Sequence, residues 1–124
     1  LEDFLEMPVK DYSGGMKRRL SLAIALLANP RILILDEPTV GIDPELRQKI
    51  WLELHRLADL GTTILLTTHV MEDAEESDSL LMIREGEAIA QGTPQALMQQ
   101  YQVSSIEEVF LQAGRKQDAS NRNR

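Results

Sequence analysis

Apolar and polar positions change rhythm several times along this chain, and each change predicts a boundary. Leu1, Phe4, Leu5 and Met7 read as the end of a helix broken by Pro8. Leu20, Ala23, Ile24 and Leu27 recur at helical spacing, with Ser13 placed as an N-cap and Asn29-Pro30 as the stop, which predicts a helix of about four turns. Ile32 to Leu35 is an unbroken aliphatic run between turn residues, as in a parallel-sheet strand buried on both faces. Asp43-Pro44-Glu45 then opens a second helix, with Leu46, Ile50, Leu54 and Leu57 on one face and Gly61 ending it. Thr62 to Thr68 is rich in β-branched residues and predicts a second buried strand. Val70 to Glu76 reads as a short helix whose acids, Glu72, Asp73, Glu75 and Glu76, face water.

Further on, Ser79 to Arg84 and Glu87 to Gln91 predict a hairpin around Glu85-Gly86. Thr93-Pro94 caps a helix running to about Gln100. Ser104 or Ser105, with Glu107 or Glu108 three residues on, resembles a capping box, and a short helix through Leu111 should follow. Residues 115–124 are polar and without period, which predicts a disordered tail. There is no internal repeat.

The chain has 124 residues, the size of one domain. Its net charge of −7 argues against a nucleic-acid footprint, which is normally basic. With no cysteine, it has neither disulfides nor thiolate metal sites. No apolar run approaches the ~18 residues that would span a membrane, and no signal peptide is present, so a cytosolic compartment is expected. The chain begins at Leu1 in a mixed stretch, and the expectation is that it is a fragment.

Chemistry concentrates where strands end. Asp36 and Glu37 leave the first strand at its carboxyl end, where ligands of parallel sheets gather. Two adjacent acids there need a cation, donors or water. A magnesium–nucleotide complex would meet that need, with one acid near the metal and the other near an attacking water. His69 occupies the same place after the second strand; a lone histidine there is more often structural, but its position raises the functional reading. Ser13-Gly14-Gly15 reads as a cap and tight turn, or as an anion site at a helix N-terminus. Lys17, Arg18 and Arg19 read as a solvated face, Asp43 as a helix cap, and His55 as exposed and off the apolar stripe.

Taken in order, these segments resemble a known family. Tyr12 to Met16 resembles the signature motif of ABC transporter ATPases, Ile32 to Glu37 their Walker B strand with its catalytic glutamate, Val40 to Asp43 the D-loop, and His69 the H-loop histidine. The resemblance runs to about Leu111. It implies an α/β, P-loop NTPase-like partial domain over 1–114: parallel strands with flanking helices, a C-terminal hairpin and short helices, then the 115–124 tail. It further implies ATP and Mg²⁺ as ligands. Asp36 would help hold the metal, Glu37 would act as general base, and His69 would contact the γ-phosphate. Ser13, Gly14 and Gly15 would touch the γ-phosphate of a nucleotide on the opposite subunit, and Asp43 would communicate across the dimer. The implied partners are a second ATPase subunit, head to tail, and a membrane permease, with the chain peripheral at the inner face of the cell membrane and neither inserted in it nor bound to nucleic acid.

The sequence departs from the family at Met16, where Gln is usual, and at Tyr12, where Leu is common; Met lacks the hydrogen bonds of Gln. No Gly-x-x-x-x-Gly-Lys-Ser/Thr occurs, so the second half of an ATPase is implied, with little nucleotide binding or turnover expected alone. Val-Gly-Ile-Asp after Asp36-Glu37-Pro38-Thr39, the Thr67 to Glu75 stretch and Ser105-Ile-Glu-Glu-Val-Phe-Leu resemble multidrug, antibiotic and sodium exporter subunits. Two other readings compete: a non-catalytic fragment docking on a permease or an intact ATPase, and a soluble ABC protein acting on ribosomes or DNA. The acidic balance and Val-Gly-Ile-Asp speak against the last.

Overall fold

A computed structural model describes residues 22–123. The segment Leu1 to Lys10 and the expected helix start at Ser13 lie outside the described residues. The chain divides after Thr67 into two compact units.

In the first unit, α1 (residues 22–27) is followed by Asn29, whose φ of +46° turns the backbone away from the helix before Pro30. β1 (Ile32–Asp36) pairs in parallel with β2 (Thr63–Thr67), in the register Ile32↔Thr63 to Asp36↔Thr67. Parallel neighbours need a crossover, and α2 (Pro44–Asp59) lies in it. α2 starts as the sequence predicts: Asp43 caps it by accepting from the Leu46 amide at 3.0 Å, and Pro44 fills the first position. It ends in a Schellman motif. Gly61, at φ +103°, lets its own amide reach the Ala58 carbonyl at 3.0 Å and the Thr62 amide reach that of Leu57 at 3.0 Å.

Leu33 and Leu35 of β1 pack with Ile50, Leu54 and Leu57 of α2 and with Leu22 and Leu26 of α1. Burying each such side chain stabilises by roughly 1.5–3 kcal/mol. Two expectations need correcting here. β1 is buried on one face, not two: Ile32 is 66% exposed and Ile34 70%, as is Leu65 of β2 at 61%. An unbroken aliphatic run carries no alternation, so it could not say that only one face is covered. On α1 the buried positions are Leu22, Ala23 and Leu26, while Ile24 and Leu27 are exposed, a shift of the apolar stripe around the helix.

In the second unit, α3 (Met71–Glu76) is followed by β3 (Leu80–Arg84) and β4 (Glu87–Gly92), an antiparallel hairpin. Its turn, Glu85-Gly86, has φ of +53° and +75°, the type I′ pattern that suits the twist of the strands. Thr93 caps α4 (Pro94–Tyr101) by accepting from the Ala96 amide at 3.1 Å. Ser105 caps α5 (Ile106–Arg122), accepting from Glu108 N at 3.2 Å while the Glu108 carboxylate accepts from Ser104 N at 3.1 Å. The predicted capping box is present, with its return bond shifted by one residue. Glu75 of α3 accepts from Ile106 N at 3.2 Å and satisfies another amide of the first turn. Met82, Leu97, Ile106 and Val109 form this unit's core.

The tail is the largest correction. Residues 115–122 are helical, not disordered, because α5 passes Leu111 and the expected boundary at 114 without a break. Arg84 explains it. Its guanidinium donates to the Gly114 carbonyl at 3.2 Å, to Gln117 Oε1 at 2.7 Å and to Asp118 Oδ1 at 2.9 Å. Gln117, buried, donates back to the Arg84 carbonyl at 2.8 Å and to Glu87 at 3.2 Å. The Arg84 hydrogen bond holds the Asp118 carboxyl below its ordinary range. A segment polar by composition is thus ordered by a polar network. Asp73 is a further correction: it is buried at 1% exposure, since it lies on the inner side of a helix too short to reveal a face by its pattern.

Candidate functional site

β1 delivers Asp36 as its last residue, and the chain turns at once. Glu37 sits at φ +46°, a left-handed conformation that costs a non-glycine residue roughly 1–2 kcal/mol. Such strain persists where the surroundings over-determine it, and functional sites are where it collects. Here Thr67 does the determining. The Glu37 amide donates to the Thr67 carbonyl at 2.8 Å, the last rung of the parallel ladder, and lies 3.3 Å from Thr67 Oγ1. The Thr67 hydroxyl in turn donates to Asp36 Oδ1.

Two tight turns follow. The Val40 amide reaches the Glu37 carbonyl at 3.4 Å, with Pro38 in the second position, and the Ile42 amide reaches that of Thr39 at 3.2 Å. Gly41, at φ +74°, takes the third position of the second turn, the conformation that type II turns assign to glycine. These turns bury Thr39 and Ile42 and carry the chain to Asp43. Asp43 is exposed and spends one carboxylate oxygen on capping α2.

Asp36 is exposed and Glu37 half-buried. Thr67 holds Asp36 through Oδ1. Among the described residues no three metal-ligating side chains come together. The carboxylates of Asp36 and Glu37 are of the kind that hold Mg²⁺, a cation bound through one or two carboxylates, waters and substrate phosphates.

His69 belongs to the second unit, two residues beyond β2. It is exposed on a turn closed by Thr68, whose hydroxyl accepts from the Val70 amide at 2.9 Å. The structure therefore brings together Asp36, Glu37 and Thr67, and leads on from them to Asp43. Ser13, Gly14 and Gly15, like Met16 and the basic triplet after it, lie outside the described residues. His55 is half-buried, not exposed, its ring tilted 5.6 Å from that of Trp51. Sequence reasoning missed the part played by Thr67. The signal that could have found it is a hydroxyl two residues before His69, opposite an acid in a parallel pair.

Comparison with known proteins gives three kinds of likeness. The family described as "AAA domain, putative AbiEii toxin, Type IV TA system" matches residues 3–71. The Nod factor export ATP-binding protein I of Sinorhizobium fredii is 48% identical over 111 residues, which cover 89% of this chain and 32% of that protein. ABC transporter G family member 20 of Dictyostelium discoideum is 46% identical over 109 residues, covering 88% of this chain and 15% of that one. The chain thus spans a third or less of the length of these two relatives. A solved structure described as the ATP binding subunit of an ABC transporter superposes with a TM-score of 0.75 at 29% identity, over 85% of this chain and 45% of that one. No helix among the described residues is long and apolar enough to cross a membrane.

Proposed function

This chain belongs to the AAA-domain family that its residues 3–71 match, and its fold is that of ABC transporter ATP-binding subunits; on that premise we propose that it supplies the catalytic acids and signature segment of an ATPase that powers export through a separate membrane permease. The observation that carries the proposal is the acid pair at the carboxyl end of a parallel strand, with Glu37 strained and Asp36 fixed by Thr67.

Asp36, held at Oδ1 by Thr67, would help hold hydrated Mg²⁺. Glu37 takes the proton of the attacking water or polarises it. Mg²⁺, when bound, supplies positive charge against the negative charge of the transferred phosphoryl group. His69 contacts the γ-phosphate, and Ser13, Gly14 and Gly15 contact that of a nucleotide held by a second subunit arranged head to tail. Asp43 faces that subunit while capping α2. The 124 residues contain no phosphate-loop motif, so the cradle for the β- and γ-phosphates comes from residues outside them. Exporter names among the relatives support the direction of transport, and the cargo is left to the permease. The protein works at the inner face of the cell membrane, with no role for nucleic acid at its net charge of −7.

The test is a graft of this chain in place of the 111 matching residues of the Sinorhizobium fredii relative. The graft is expected to hydrolyse ATP with Mg²⁺. Glu37→Gln should lower kcat by roughly 100-fold or more while ATP still binds. Turnover by Glu37→Gln at the rate of the unsubstituted graft would overturn the proposal.

A further inference from the structure

We infer that Thr67 is a positioning residue for the acid pair: its single hydroxyl fixes the Asp36 carboxylate and the Glu37 amide together and so sets the metal affinity of the site. The inference rests on the function proposed above.

The argument begins with the inventory of a hydroxyl, one proton and two lone pairs. Thr67 gives the proton to Asp36 Oδ1, and its oxygen lies 3.3 Å from the Glu37 amide. The same residue's carbonyl accepts that amide at 2.8 Å. One residue of β2 therefore fixes both the rotamer of the first acid and the left-handed backbone of the second. The register Asp36↔Thr67 makes this possible, since paired positions of parallel strands present their side chains on the same face.

The hydroxyl is not needed by the strand. Thr67 is exposed at the strand's end, where valine has the same shape and a similar strand preference. Thr63 offers a control inside the same element. It sits on the same face of β2, four residues earlier and also exposed, opposite Ile32, which offers no polar side chain. Partners that orient a metal-ligating carboxylate are worth about 10–100-fold in metal affinity or activity when removed.

In the graft, Thr67→Val is expected to weaken Mn²⁺ binding in the presence of a non-hydrolysable ATP analogue by about 10-fold, read by titration calorimetry. The Mg²⁺ concentration for half-maximal turnover should rise by a similar factor. Nucleotide binding without metal should stay within about twofold, because only the metal's partner is disturbed. Thr67→Ser, which keeps the hydroxyl, should restore metal binding, and Thr63→Val should leave it unchanged. Should Thr67→Val not fold, Thr67→Ala against Thr67→Ser gives the same comparison. Unchanged Mn²⁺ affinity in Thr67→Val, with Glu37→Gln inactive, would overturn this inference and leave the proposed function standing. Equal losses in Thr67→Ser and Thr67→Val would also overturn it, since shape and not the hydroxyl would then matter. Full turnover by Glu37→Gln would instead remove the function on which the inference rests.

Discussion

The two compact units solve the problem of holding a helix against strands in different ways. In the first, α2 packs through an apolar cluster built on one side of the β1–β2 pair, while Ile32, Ile34 and Leu65 line the other side exposed. In the second, the apolar cluster of Met82, Leu97, Ile106 and Val109 fixes only the first half of α5, and the Arg84 network fixes the rest. The unit carrying the acids thus combines an apolar cluster with long-range hydroxyl bonds from Thr62 to the Pro30 carbonyl and from Thr67 to Asp36, whereas the unit without them has a guanidinium-centred polar clasp. Apolar packing sets where an element lies. A polar network with fixed geometry sets where it stops.

Three measurements break or sharpen this contrast. The largest effect is expected at Leu54, which is 1% exposed in the apolar cluster. Leu54→Ala should cost about 3 kcal/mol, within the usual range for such cavities, and should reduce amide protection in β1, α2 and β2 more than in the hairpin. Equal loss of protection throughout would show that the two regions do not differ in this way. Next is Gln117, whose amide joins α5 to the Arg84 carbonyl and to Glu87. Gln117→Leu keeps the bulk but removes the side-chain bonds to Arg84 and Glu87, at a cost of about 1–2 kcal/mol in denaturant unfolding, with helix lost beyond Gly114. Retention of the full helical signal would assign the order of residues 115–122 to something other than the clasp.

The smallest effect is acid-dependent. Asp118 is ionised in its bond to Arg84, and its folded value lies below the ordinary carboxylate value of 3.8. The folded state therefore binds fewer protons than the unfolded one. The contribution is complete above that ordinary value and is lost as pH falls through the depressed folded value. Far-ultraviolet circular dichroism should show the last turns of α5 fraying in that acid window. Asp118→Asn should flatten the pH dependence there, and an unaltered acid profile would exclude Asp118 as its source.

Local chemistry made much of this legible in advance. Asp43, Thr93 and Ser105 cap helices because each is a short oxygen-bearing side chain just before a helical pattern, and Glu85-Gly86 turns because both positions accept positive φ. The placing of Asp36 and Glu37 followed from the end of an aliphatic run. What escaped the reading depends on partners distant in the chain. Thr67 meets Asp36 across 31 residues, and only the strand register brings them together. Arg84 meets Asp118 across 34, so a polar stretch without period gave no hint of the helix it forms. Asp73 looked solvated because six residues of helix are too few to display an inner side.

The left-handed backbone at Glu37 also narrows what selection can try there. Any substitution passes a conformational filter before a chemical one. Asparagine, aspartate and glycine satisfy the dihedral at little cost, whereas valine and isoleucine, branched at Cβ, would unsettle the turn itself. In a saturation library, variants at this codon should therefore fall into two classes of defect: well-folded proteins that have lost only their chemistry, and proteins whose abundance drops as well.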